Sequence, residues 1–331
     1  MPLFRVERVA RACFAMITLS GAGMRLVSWV RWAMLALAIG LAGFYVLTIP
    51  RTFPAGALSP RTPDLANGAT MFNIGGCASC HAKDPKNAPQ DLGGGHVLKT
   101  KFGTFAAPNI SMHPTAGIGA WSEQEFLTAM VEGVGRKGEH LFPSFPYTSY
   151  RRMQVPDLRD LFAYMRTLPS NATPSAPHAI QFPFSIRRTL GVWKLLFADA
   201  EPFKPQQGQS EAFNRGAYLV EGPGHCAECH SRRNLLGGIV TGGRMAGGPN
   251  AEGKGFVPNI TQHPTDGLGQ WTLKDLELLL ENGGTPAGGV VADEMEEVVL
   301  NTSRLSAEDR RAMALYLKQI APIASQRSPR K

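Results

Sequence analysis

Two short runs, Cys77-Ala-Ser-Cys80-His81 and Cys226-Ala-Glu-Cys229-His230, hold the side chains of this sequence best suited to chemistry. Three chemistries use cysteine pairs at this spacing. A disulfide framework has no need of a histidine directly after each pair. Zinc held by two such pairs needs thiolates that stay reduced, and it leaves both histidines without a role. The third is covalent attachment of haem c, for which C-x-x-C-H in an exported chain is the signature. Its reason is geometric. Residues three and four apart share one face of a helix, so Cys77 and Cys80 can present both sulfurs to the vinyl groups of one porphyrin, with His81 delivered to the iron. Cys226, Cys229 and His230 repeat the arrangement. The expectation is two covalently bound haem c groups, with zinc and disulfides as the rivals. Cys13 stands apart and reads as an idle residue.

Histidine leaves one coordination position open, and what fills it separates electron transfer from chemistry at iron. In the second half the expected ligand is Met295, within Ala292-Asp-Glu-Met295-Glu-Glu-Val298, ahead of Met245 in a glycine-rich loop and Met313 on the apolar face of the last helix. In the first half it is Met153, within Tyr150-Arg-Arg-Met153-Gln154, with Met112 and His140 as rivals; Met130 and Met165 read as packing. Alignment of the final helices sets Met153 against Leu305 and Met295 against residues 143–145. The two irons therefore need not be ligated from one topological point. The carbonyls of Pro108 and Pro258 can accept the ring N–H of His81 and His230, fixing the tautomer. Asn109, Asn259, Trp121 and Trp271 can donate to propionates, against the plainer alternative of turn chemistry and core packing. His113 and His263 read as loop surface.

The elements that must position these residues come twice. The cysteine motif recurs at an offset of 149, and Pro108–Trp121 recurs as Pro258–Trp271 at 150 with nine identities. That period is too long for a solenoid repeat and marks a duplicated domain. The first is expected over residues 64–170 and the second over 206–322, joined by a proline-rich linker, 171–205. Within the linker, SIRRTLGVWKLLF (185–197) has helical apolar spacing. Helices are expected at 67–74 and 215–221 before each cysteine motif. Ser122-x-x-Glu125 and Thr272-x-x-Asp275 open capped helices, and amphipathic helices close each domain at 157–168 and after Ser306. No alternating run is long enough for a sheet, and the glycine-rich stretches 93–95 and 237–255 read as loops. The expected fold class is all-α, with too little regular structure to stand without a large buried cofactor.

Residues 32–49 form an uncharged apolar run that spans about 27 Å as a helix, near the hydrocarbon thickness of a bilayer. Arg5, Arg8, Arg11, Arg25 and Arg31 precede it. Residues 1–31 are therefore expected in the cytoplasm, 32–49 as a transmembrane anchor in the inner membrane, and the remainder in the periplasm. The rival is a cleaved signal with a small-residue site at Ala55-Gly56-Ala57. The net charge of +8 sits at the two ends, including the basic tail 323–331. The stretch between them is balanced, which excludes the basic face that nucleic-acid binding requires.

The two C-x-x-C-H motifs, PNI…GIGAW (108–121), PNI…GLGQW (258–271), HLFPSFPYTSYRRM (140–153) and EMEEVVLNTSRLSAED (294–309) together resemble the class I cytochrome c superfamily. More closely, the sequence is similar to the membrane-bound multihaem cytochrome subunits of periplasmic alcohol, gluconate and fructose dehydrogenases. The resemblance implies a non-catalytic electron relay from a dehydrogenase subunit towards quinone or a terminal oxidase. It departs from that pattern twice. Typical subunits carry three C-x-x-C-H motifs where this chain has two, and Phe145 stands where a PxMPY segment has methionine. The rival function is a haem enzyme, a dihaem peroxidase or thiosulfate-oxidising cytochrome, with one iron open or His-ligated.

Overall fold

A computed structural model describes residues 20–325 apart from Asp199 and Lys254; Arg5, Arg8, Arg11, Cys13 and the tail 326–331 lie outside the described residues. The chain divides at Ile49/Pro50 into two units. In the first, helix α1 (Ser20–Leu47) contains the segment Ser28–Leu47, long and apolar enough to cross a membrane by length and composition.

In the second unit the helices start where a side chain can satisfy the free N–H groups of a first turn. Asp64 accepts from Ala66 and Asn67 at the start of α2 (Leu65–Ile74). A one-turn helix, α3 (Cys77–His81), carries the first cysteine motif. The Ser122/Glu125 capping box opens α4 (Glu123–Leu127), which runs on as a π-turn over Thr128–Glu132. Helices α5 (Tyr147–Tyr150) and α6 (Val155–Met165) complete the first repeat. In the second, Ser210 caps α8 (Glu211–Glu221), α9 (Cys226–Cys229) carries the cysteines, and Thr272/Asp275 box α10 (Leu273–Asn282). Helices α11 (Glu294–Thr302) and α12 (Ala307–Leu317) follow, the latter capped by Ser306.

The entry and exit helices of each repeat pack against one another, α2 on α6 and α8 on α12. Glycine allows both crossings. A Cβ on Gly68 would lie 2.2 Å from the Asp160 carbonyl oxygen, and one on Gly216 would lie 1.8 Å from that of Ala312. An ion pair clamps each crossing, Arg61 to Asp160 and Arg215 to Asp309. The first tethers the chain before α2 to α6; the second links the two helices directly.

The all-α expectation needs correction. Helix covers 41% of the described residues, and two small antiparallel sheets accompany it. Strands β1 (Val97–Thr100), β2 (Gly103–Ala106) and β3 (Ala179–Ile180) pair in that order, with Val97 opposite Ala106 and Thr104 opposite Ala179. Strands β4 (Gly248–Pro249) and β5 (Phe256–Val257) form the other. At two to four residues each, none is long enough to display a period of two in sequence. Residues 171–205 are more than a connector, since they supply β3 and α7 (Thr189–Phe197). Lys194 of α7 donates to the carbonyls of Glu132 (2.7 Å) and Gly133 (2.6 Å). The two repeats share one continuous core, in which Met71, Leu158 and Leu161 of the first join Leu219, Leu276 and Met313 of the second.

Candidate haem sites

Each cysteine motif begins at a backbone turned left-handed, Gly76 (φ 61°) before α3 and His225 (φ 39°) before α9. The short helices set each pair of sulfurs three residues apart, and all four thiols are free of disulfides. Cys80 and Cys229 are open to solvent, yet protein atoms crowd them from within. Desolvation pushes Cys77 up to about 12, Cys80 to about 11 and Cys226 to about 12, and it raises Cys229 as well. In the free chain such thiols stay protonated at neutral pH. Among the described residues, no group of three or more His, Cys, Asp or Glu side chains is gathered to hold a metal ion.

The histidines are fixed by their neighbours. His81 Nδ1 lies 2.7 Å from the Pro108 carbonyl and His230 Nδ1 lies 2.8 Å from that of Pro258. With Nδ1–H donating to the carbonyl, the lone pair of Nε2 is left for a metal. Desolvation lowers both pKa values and favours the neutral ring, the ligating form. The frame behind the rings is the same in both repeats. Gly94 N–H donates to the His81 carbonyl and Ile110 N–H to Leu92; Gly247 donates to His230 and Ile260 to Met245. Two thiols and one oriented imidazole, with the outer cysteine of each pair open to solvent, fit a covalently held haem. They do not fit zinc between two cysteine pairs.

Known proteins agree with this chemistry. The family model for cytochrome c matches residues 65–169. Over 291 residues the chain is 42% identical to a "Diheme cytochrome c-type" protein of Cereibacter sphaeroides, covering 87% of this chain and 96% of that one. It is 32% identical to the "Fructose dehydrogenase cytochrome subunit" of Gluconobacter japonicus, over 85% of this chain and 57% of that one. Against the "Gluconate 2-dehydrogenase cytochrome c subunit" of Pantoea cypripedii the identity is 33%, over 76% and 58%. The chain thus spans less than two thirds of the length of these dehydrogenase subunits. The chain belongs to the c-type cytochromes.

A c-type cytochrome of this kind is an electron-transfer protein and not a catalytic subunit. Its remaining candidate residues fall into place by comparing the repeats. Met245 holds the position of Leu92, and both are buried behind the histidine. Met130, Met165 and Met313 are also core residues. Met153, 2% exposed, packs in the core where the second repeat has Leu305. Met295 is half-buried in the first turn of α11, while Met112 packs against the core from a half-buried loop. His140 is buried, its Nδ1 3.1 Å from Lys194 Nζ. With the amine as donor, Nε2 keeps the hydrogen, the opposite of the His81 arrangement.

The asparagines are spoken for, which corrects the propionate expectation. Both N–H groups of Asn109 are given to the carbonyls of Asn171 and Thr173, each at 2.8 Å. Those of Asn259 go to the Ile323 carbonyl (2.7 Å) and Ser325 Oγ (3.2 Å). Both side chains fasten the strand of chain that leaves the final helix of their repeat, so no amide hydrogen remains for a propionate. Trp121 and Trp271 are half-buried against the core, and their carbonyls accept from Arg166 and Lys318. His113 and His263 serve as loop acceptors for the N–H groups of Ala116 and Asp266.

One set of residues had no signal in the sequence. Glu228, inside the second cysteine motif, accepts from Thr148 (2.6 Å) and Ser149 (2.8 Å) of the first repeat and pairs with Arg233 at 2.6 Å. Burial pushes its carboxyl up, but Arg233 and the two hydroxyls more than offset this and hold it below the ordinary range. Asn301 of the second repeat returns the contact by donating to Ser79, inside the first motif, at 2.7 Å. Ser149 and Asn301 occupy equivalent places before the final helices, as do Ser79 and Glu228 within the motifs. The two motifs face each other across a pseudo-twofold interface.

Proposed function

We propose that this chain is a membrane-anchored dihaem cytochrome c with one haem domain in each repeat, residues 64–170 and 206–322. It accepts electrons from a dehydrogenase catalytic subunit on the periplasmic side of the inner membrane and passes them towards quinone or a terminal oxidase. The observation that carries this reading is the duplicated pairing of His81 with Pro108 and His230 with Pro258, each beside two free thiols. The apolar segment Ser28–Leu47 supports the anchor, and the names of the dehydrogenase-subunit relatives support the partner.

When bound, each haem iron supplies a one-electron couple. The protein's own residues hold and insulate it. Cys77, Cys80, Cys226 and Cys229 supply the thioether sulfurs, while His81 and His230 are oriented by carbonyls that make them stronger donors. Trp121 and Trp271 are the proposed indole donors to propionates. Met295 is the proposed sixth ligand of the second haem and Met153 that of the first.

Haem stoichiometry tests the reading. The purified chain is expected to contain two haems that survive denaturing electrophoresis, and Cys77→Ala and Cys226→Ala variants one each. A colourless band, or one haem in the unmodified protein, overturns it.

A further inference from the structure

His225 is the residue that the duplication does not explain. The turn before Cys77 is made by Gly76, which adopts a positive φ without strain. The same turn before Cys226 is made by a histidine at φ 39° and ψ 31°, a conformation that costs a non-glycine residue free energy. Glycine would serve the local backbone better, so the side chain has a use there.

The ring shows what that use is. It crosses the interface and sets Nε2 3.3 Å from the Gly75 carbonyl, two residues before Cys77. Tyr150 Oη donates to the same oxygen at 2.9 Å, and the Tyr150 and His225 rings meet edge-on at 5.7 Å. A continuous route runs from Cys77 through Gly76 and the Gly75 carbonyl to the His225 ring and Cys226. The flanking contacts, Asn301 to Ser79 and Ser149 to Glu228, are near-symmetric, whereas this one has no counterpart: Thr302, equivalent to Tyr150, donates instead to Leu280.

We propose that His225 is a positioning residue that braces the two haem-attachment helices against each other and so sets the rate at which an electron crosses between the haems. The inference rests on the dihaem reading above. Electronic coupling falls off steeply with the gap between centres, so a brace between the residues that lead into the two attachment helices acts on rate more than on potential.

The test uses the full-length holoprotein in detergent micelles. His225→Gly restores the residue found in the first repeat, keeps the backbone turn and removes the ring. It is expected to retain two haems, unchanged potentials and undiminished thermal stability. Inter-haem electron equilibration after rapid photoreduction should slow by clearly more than twofold. The magnetic interaction between the two ferric haems should weaken in parallel. His225→Asn, which tolerates the left-handed turn and retains a donor, should recover part of the rate. A rate within twofold of the parent in the dihaem His225→Gly protein overturns the proposal. If that variant does not hold two haems, His225→Ala is judged by the same criterion. A parent protein with only one haem instead defeats the dihaem reading itself.

Discussion

The two repeats agree around His81 and His230 and differ along the segments that lead into their final helices. Around the histidines, each has a proline carbonyl on Nδ1, a glycine of positive φ donating to the histidine carbonyl, and a buried asparagine tying down the chain after the final helix. Before the final helices, the hairpins run in register at an offset of 150, with Val134 paired to His140 and Gly284 to Val290. Carried forward, that register sets Phe145 against Met295. Two extra residues then place the final helices at an offset of 152, with Met153 against Leu305. The lesson is that the surroundings of the two proposed ligating histidines vary little between the repeats, whereas the segments that carry the proposed sixth ligands, Met153 and Met295, diverge.

The largest expected effect tests that divergence at the second site. Met295→Ala should convert the second haem to a high-spin form that binds carbon monoxide when reduced, leaving the first unaltered in the same spectrum. A second haem that still excludes carbon monoxide removes Met295 from the ligand set. Phe145→Met sharpens the comparison from the other side, because it puts methionine in the first repeat at the register of Met295.

Next in size are changes at the helix crossings, where the repeats should respond alike. Gly216→Ala drives a methyl group into the Ala312 carbonyl and should cost about 3 kcal/mol in chemical denaturation. Gly68→Ala, with slightly more room against Asp160, should cost somewhat less. Equal stability of parent and Gly216→Ala would mean that α8 and α12 can part without penalty. Met153→Ala empties a fully packed site and should cost about 2–5 kcal/mol. Its spectrum decides the role of the residue. Ligation by Met153 makes the first haem high-spin in this variant, whereas an unshifted spectrum with a lowered Tm assigns Met153 to packing beside Leu305.

Much of this was legible in the sequence, for reasons that differ from residue to residue. Capping side chains at Ser122, Thr272 and Ser306 and the apolar period of α6 and α12 act locally, so the helices could be placed. The cysteine motifs could be read because attachment chemistry fixes their spacing. The strands could not, since pairs such as Gly103 with Ile180 join segments far apart in sequence over only a few residues. The amides of Asn109 and Asn259 suited a propionate as well as a backbone, and only the fold shows which partner arrives. The cross-interface contacts of His225 and Glu228 depend on how one repeat docks on the other, which no single repeat encodes.

The smallest expected effect lies at Lys194, a half-buried cation of α7 that packs on the hairpin of the first repeat. Lys194 sits over the Tyr147 ring at 5.0 Å and donates to Glu132 and Gly133, whereas no lysine caps the equivalent Gly283 among the described residues. Burial lowers its pKa to about 7, partly opposed by Glu132. In the unfolded chain the amine keeps an ordinary lysine pKa of about 10.4, so between these values the unfolded state binds more protons than the folded one. Stability from this group therefore rises as pH increases from about 7 towards 10, and it is flat below 7, where both states are protonated. Unfolding by denaturant at pH 6.5 and 9 should show that rise in the parent and a weaker one in Lys194→Met. An identical pH dependence in the two proteins would mean that the amine remains charged where it is packed, stabilised by the carbonyls enough to outweigh its burial.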